Sequence, residues 1–205
     1  MKLYYSPGAC SVGIHVLLEE IGAPYEAVLV NLREGAQFKP EFTGVNPKAK
    51  VPTLERDDGS VLTEYPAIGF WLASRFPTAG LMPVGMDAQA RALECTDFCV
   101  ATLHMQGFSR MFRPANFAPT EGDHEAVKAR GAEIFSKGLA LLDKALDGKE
   151  WLAGSYSFAD SALFYVSFWW KGRLGKDLPT HVAAHYARMM ARPAVQRVLA
   201  AEGLA

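Results

Sequence analysis

At 205 residues, half of them hydrophobic and about a fifth charged, the chain has the composition of a globular protein with one large core or two smaller ones. Its formal charge of −1 gives neither nucleic acid nor an anionic membrane an electrostatic reason to bind. Three cysteines, an odd number in a chain this long, argue against a disulfide scaffold and for a reduced, cytoplasmic setting.

No secretory leader is expected, because Met1-Lys2 runs straight into strand-like residues. Leu3, Tyr4 and Tyr5 form that strand, and Ser6-Pro7-Gly8 breaks it. A helical pattern follows, with Val12, Val16 and Leu17 on one stripe and Ile14, Leu18 and Ile21 beside it. Gly22 and Pro24 stop the helix. Cys10 and Ser11 fall in its first turn, where unpaired N–H groups and the positive dipole end favour an anion. A thiol there ionises more readily than a free cysteine, and the thiolate is the attacking form. The competing reading is a small residue packed where strand meets helix. These residues alone leave both open.

Residues 25–30 alternate and predict a second strand, parallel to the first across the intervening helix. Residues 31–50 are irregular, broken by Gly35, Pro40, Gly44 and Pro47. Residues 51–55 and 60–63 flank Asp57-Asp58-Gly59 and predict a β-hairpin. Another helix starts around Glu64-Tyr65-Pro66, with Pro66 suited to its first position. Residues 1–76 thus predict a small mixed sheet with helices against it, and 77–86 a linker.

Beyond the linker, residues 87–205 are helical throughout. Long patterns run over 87–112 and 120–147, the second with Val127, Ile134 and Leu141 recurring every seven residues. Residues 157–171 are apolar nearly all round, which places that helix in the middle of a bundle, and Ser157 and Asp160 have capping-box spacing at its start. The longest apolar-rich run, 161–170, is too short to cross a bilayer. Closing helices are expected over 180–191 and 193–202. Cys95 and Cys99, one turn apart, read as small core residues. His181 and His185 lack the glutamate of a zinc-protease motif, and no metal is expected.

Four blocks now resemble one family. Tyr4-Tyr5-Ser6-Pro7-Gly8-Ala9-Cys10-Ser11 with His15, Asn46-Pro47-Lys48-Ala49-Lys50-Val51-Pro52-Thr53-Leu54, Leu62-Thr63-Glu64-Tyr65-Pro66-Ala67-Ile68, and Leu152-Ala153-Gly154 with Ser157-Phe158-Ala159-Asp160 are similar to the cytosolic glutathione S-transferases. The bacterial beta class is the most similar. Resemblance in this order and spacing covers the chain end to end. It implies a thioredoxin-like N-terminal domain followed by a C-terminal helical bundle, α/β then all-α.

The same resemblance implies a homodimer that joins the glutathione thiolate to a small apolar electrophile. Cys10, Ser11 and His104 would act on the sulfur. Ala9, Cys10, Arg33, Val51, Pro52, Glu64, Tyr65, Asp97, Thr102 and His104 would hold the tripeptide, Asp97 reaching it from the partner subunit. A cis Pro52 would turn the Val51 backbone outward to pair with the cysteinyl part. The helix start at Glu64 and Tyr65 would take the γ-glutamyl carboxylate, and the Glu64 side chain the adjacent ammonium. Asp97 and His104, seven apart, would share a helix face. Arg110, Met111, Phe112 and Arg113 stand where the family builds its electrophile pocket. Tyr65 replaces the family's usual serine or glycine, and Arg33 or Gln37 replaces a loop lysine. Two alternatives stand beside conjugation: thiol–disulfide exchange with Cys10 as nucleophile, and a non-catalytic dimeric module of the same fold.

Overall fold

The computed structural model describes residues 1–205, which divide into two compact units: Met1–Met82 with Arg188–Ala205, and Pro83–Ala187. The chain's last helix therefore belongs to the N-terminal unit, although the whole of the second unit, residues 83–187, separates the two in sequence and hides that kinship from any local pattern.

The first unit is built on a four-stranded sheet of order β2-β1-β3-β4. Strands β1 (Lys2–Tyr5) and β2 (Glu26–Leu29) pair in parallel across helix α1 (Ser11–Ile21), as the alternating pattern predicts. Gly22 ends α1 at φ 69°, a left-handed conformation that costs a glycine little. Between β2 and the hairpin the expected irregular stretch winds into single turns, the longest being α2 (Pro40–Thr43). The hairpin forms from β3 (Thr53–Glu55) and β4 (Val61–Thr63), with β3 antiparallel to both β1 and β4. Helix α3 (Tyr65–Arg75) follows with Glu64 as its N-cap, so Pro66 occupies the second helical position rather than the first. Helix α1 is buried from Ser11 to Leu18 because it packs against both α3 and the closing helix of the chain (Pro193–Ala201).

This register gathers the chain's turns at one end of the sheet. Tyr5 lies opposite Leu29, Tyr4 opposite Thr53, and Thr53 opposite Thr63. The exits of β1, β2 and β4 and the entry to β3 consequently share that end. Cys10, Arg33, Val51 and Glu64 are far apart in sequence, yet each lies on a connection that opens from one of these four strand ends.

The second unit is helical. Helix α4 (Met86–Asp97) runs on through a π-helical segment (Phe98–Phe108) into α5 (Ser109–Phe112), so the predicted long helix is one rod with a changed winding. The Ser109 N–H donates to the His104 carbonyl, five residues back. Each residue of that winding turns through a smaller angle than in an α-helix. Seven residues therefore do not return Asp97 and His104 to one face, contrary to the expectation from α-helical spacing.

Helix α6 (His124–Ala145) packs against the π-helical segment. Its seven-residue series is not the core stripe, because Leu141 is 58% exposed, while Gly131, Phe135, Gly138, Leu139 and Leu142 are buried. The glycines explain the shift. A Cβ at Gly131 would stand 2.6 Å from the Gly107 carbonyl oxygen, and one at Gly138 2.6 Å from Leu103 Cδ1, so the backbones meet too closely for side chains there.

Helix α7 (Phe158–Phe168) is buried along nearly its whole length, as an all-apolar helix requires. Its capping box is present, with the Ser157 N–H donating to Asp160 Oδ2 at 2.9 Å. Asp160 Oδ1 also accepts from the Leu152 N–H and from His185 Nε2 in α8 (Thr180–Met190), both at 3.1 Å. His185 is thereby committed to a buried carboxylate. The last helix, α9 (Pro193–Ala201), completes the first unit. No helix is long and apolar enough to cross a membrane.

Candidate active site

The connection after β1 is tied down before it reaches the cysteine. Ser11 Oγ accepts from the Ser6 N–H and donates to the Ser6 carbonyl, each at 3.2 Å, and is fully buried. Two residues beyond Ser6, the Gly8 N–H donates to Glu202 Oε2 at 2.8 Å. The other Glu202 oxygen, Oε1, accepts from His15 Nδ1, also at 2.8 Å. Both side chains are buried. A carboxylate just past α9 thus joins the loop to the middle of α1. Nothing near position 202 in the sequence announces this role, since its partners lie 187 and 194 residues away.

Cys10 itself is half-buried and caps α1. Its Sγ donates to the Val51 carbonyl at 3.4 Å. Burial pushes its thiol up to about 12, and the Glu64 charge adds to that. Hydrogen bonds from the Cys10 and Ser11 backbone, together with Lys50, pull the other way and are outweighed. This corrects the expectation of a readily ionised thiol: the helix start does favour the thiolate, but desolvation is the larger effect. Cys95 and Cys99 are buried as expected for core residues, and their thiols are raised as well, mainly by burial.

Opposite the sulfur, the Val51–Pro52 bond is cis, as the resemblance implies. Val51 lies two residues ahead of β3, outside its ladder. The turn leading to it is anchored by the buried Asn46, whose amide donates to the Lys50 carbonyl at 2.9 Å and to Thr53 Oγ1 at 2.8 Å.

The start of α3 completes this end of the sheet. Glu64 has φ 69° and ψ 125°, a region seldom visited by residues with a Cβ. Beyond it the first turn of α3 presents N–H groups without i−4 carbonyls, except at Pro66, which has none. The Tyr65 ring is 3% exposed, so the phenol is folded into the unit rather than spread over the helix start. Arg33 is exposed on its turn, its N–H donating to Asn31 Oδ1 at 3.1 Å, whereas Gln37 is buried. Of the two replacements for the loop lysine, only Arg33 has a side chain in reach of solvent.

The remaining residues belong to the helical unit. Asp97 is exposed at the end of α4, and Thr102 is half-buried on the π-helical segment. His104 is half-buried, its Nδ1 3.5 Å from the Tyr165 hydroxyl and its ring edge-on to Trp169 at 4.6 Å. Farther along, Arg110 donates to the Gln106 carbonyl at 2.8 Å and lies over the Phe117 ring, while Phe112 stacks on Phe108 at 5.5 Å. Met111 is half-buried and Arg113 exposed. Phe164, Tyr165, Trp169 and Trp170 are core.

Comparison with known proteins agrees with this architecture. A family model for the glutathione S-transferase N-terminal domain matches residues 8–75. Glutathione S-transferase GstA of Escherichia coli O157:H7 is 36% identical over 211 aligned positions, covering 100% of both chains. The chain belongs to the glutathione S-transferase family. Among solved structures, a sphingomonad glutathione S-transferase complexed with glutathione matches at 37% identity and TM-score 0.85, covering 100% of both chains. The bacterial beta-class enzyme of Sphingomonas chungbukensis matches at 35% identity, with the same TM-score and coverage.

Proposed function

We propose that this glutathione S-transferase conjugates the glutathione thiolate to small apolar electrophiles and that Cys10 assists by donating a hydrogen bond rather than by attacking. The observation that carries this reading is the placement of Cys10 Sγ 3.4 Å from the Val51 carbonyl, an acceptor that only a protonated thiol can serve, and burial favours that same neutral form. A neutral thiol is a donor, and a donor aimed at a sulfur anion stabilises it. In this scheme the tripeptide lies along the Val51 backbone, with its γ-glutamyl carboxylate on the N–H groups that open α3 and Arg33 near its far end. Proton loss from glutathione leaves a thiolate held by Cys10. Attack then forms a carbon–sulfur bond while the leaving group departs with the electron pair of the bond it gives up.

Ser11 holds the loop in place through Ser6 and does not meet the sulfur in this scheme. The roles of Asp97, Thr102 and His104, and of residues 110–113 toward the electrophile, rest on the resemblance. So do the homodimer and the cytoplasmic setting. The exposed position of Asp97 suits the contact with a partner subunit's glutathione.

Cys10→Ala separates the reactions. Conjugation of an activated aryl halide should survive with a loss of roughly tenfold or less, the scale of one hydrogen bond to a charged group at about 1.5 kcal/mol. Loss of all conjugation would show that Cys10 does more than donate. Strong disulfide reductase activity in the unaltered protein, abolished by the same substitution, would replace the transferase reading with thiol–disulfide exchange. Neither activity, with glutathione failing to bind, would leave the non-catalytic module.

A further inference from the structure

We infer that Lys48 is an internal stand-in for the γ-glutamyl ammonium: it competes with the ligand for the Glu64 carboxylate and so weakens selection for that ammonium. The inference rests on the glutathione reading above. Lys48 Nζ lies 2.8 Å from Glu64 Oε1 and 2.9 Å from Thr63 Oγ1. Glu64 is the same carboxylate that, in that reading, receives the ligand's positive group.

The contact is built from both sides. On one side the Lys48 N–H donates to Asn46 Oδ1 at 3.0 Å, and Asn46 is the buried anchor of the turn. Ala49, the next residue, has φ 54°, so the chain reverses within a left-handed conformation that alanine adopts only reluctantly. On the other side Glu64 is fixed by its own unusual backbone at the head of α3. Two strained positions thus hold an ammonium and a carboxylate together at the helix start where an amino-acid zwitterion would dock.

Competition follows from exposure and charge. The two side chains are 52% and 59% exposed, so water and a ligand both reach the pair, and such pairs change an equilibrium by about fivefold at most. Exchanging Lys48 for a ligand ammonium is therefore cheap. An ammonium already seated on that carboxylate repels a second one, which reduces what the ligand gains from Glu64.

The test is calorimetric titration of the full-length protein and Lys48→Met with glutathione and with an analogue whose α-ammonium is replaced by hydrogen. Salt at about 0.5 M screens the longer-range attraction between Lys48 and the ligand's carboxylates. Lys48→Met should bind glutathione about two- to fivefold tighter and leave the analogue's affinity unchanged or lower. Thr63→Val, which keeps the lysine but removes its second partner, should tighten glutathione binding by a smaller factor. Weaker or unchanged glutathione binding by Lys48→Met would overturn the inference, as would an equal change for both ligands. If the unaltered protein binds no glutathione, the functional reading falls and this inference with it, an outcome distinct from a failed preference between two ligands that both bind.

Discussion

Glu202 is the sharpest place to test whether the loop before Cys10 is held from the far end of the chain. Its carboxylate accepts from the Gly8 N–H and from His15 Nδ1, each at 2.8 Å, with the Glu202 and His15 side chains buried. Glu202→Ala removes both acceptor oxygens and takes the partner of a buried ring with them. Breaking a buried, charge-assisted pair by deleting one member costs about 3–5 kcal/mol. In a chain of this size each kcal/mol lowers the melting temperature by about 2–4 °C, so a drop of roughly 10 °C is expected.

Glu202→Gln keeps one oxygen for the Gly8 N–H and the side-chain volume, and should lose less than half as much. The paired assays are thermal melting by circular dichroism and kcat/KM for conjugation, since a looser Gly8 frees the segment that positions Cys10. Arg197→Ala is the internal control. Arg197 joins α9 to α1 through Glu19 at 2.6 Å, but its side chain is 55% exposed, so its loss should cost no more than about 1 kcal/mol. A melting temperature for Glu202→Ala within about 2 °C of the unaltered protein would refute the argument. Equal losses for Ala and Gln would place the effect in the carboxylate's contact with His15 rather than in volume or the Gly8 bond.

Three further predictions address the thiol and the helix packing. With its thiol raised to about 12, Cys10 should react with iodoacetamide at pH 7 about 30-fold more slowly than an ordinary cysteine, because about a thousandfold less thiolate is only partly offset by its greater nucleophilicity. The rate should climb about tenfold per pH unit through pH 9, and a plateau near pH 7 in mass-spectrometric labelling would contradict the protonated resting state. The same upward shift makes the folded protein bind the proton more tightly than the unfolded chain, so stability is fully present below pH 9 and falls as pH rises from there toward 12. Gly131→Ala should destabilise by about 1–3 kcal/mol despite the helix propensity it gains, because its Cβ meets a backbone oxygen that cannot turn aside. Gly138→Ala should cost less, since the Leu103 side-chain end can rotate; urea unfolding that ranks the two the other way would disprove the packing argument.

Local signals carried much of this molecule. Strand and helix periods, Gly22 as a stop, the Asp57-Asp58-Gly59 turn and the Ser157–Asp160 cap each depend on residues a few positions apart, and each is present. The motif blocks likewise marked Cys10, Val51, Pro52, Glu64 and Tyr65, which the sheet register brings to one end. The helical unit was less legible: the π-helical winding after Asp97 and the glycine-lined face of α6 come from how two helices fit, not from any seven-residue count.

What sequence determined, then, was which segments form which elements and which family motif they carry, because hydrophobic period and turn chemistry act over short distances. Tertiary structure alone decided that Cys10 is desolvated against the Val51 carbonyl, that Glu202 clamps its loop and that Lys48 sits on Glu64. Each of those depends on desolvation or on charges brought together by folding. Such energies exist only once distant parts of the chain have met and excluded water.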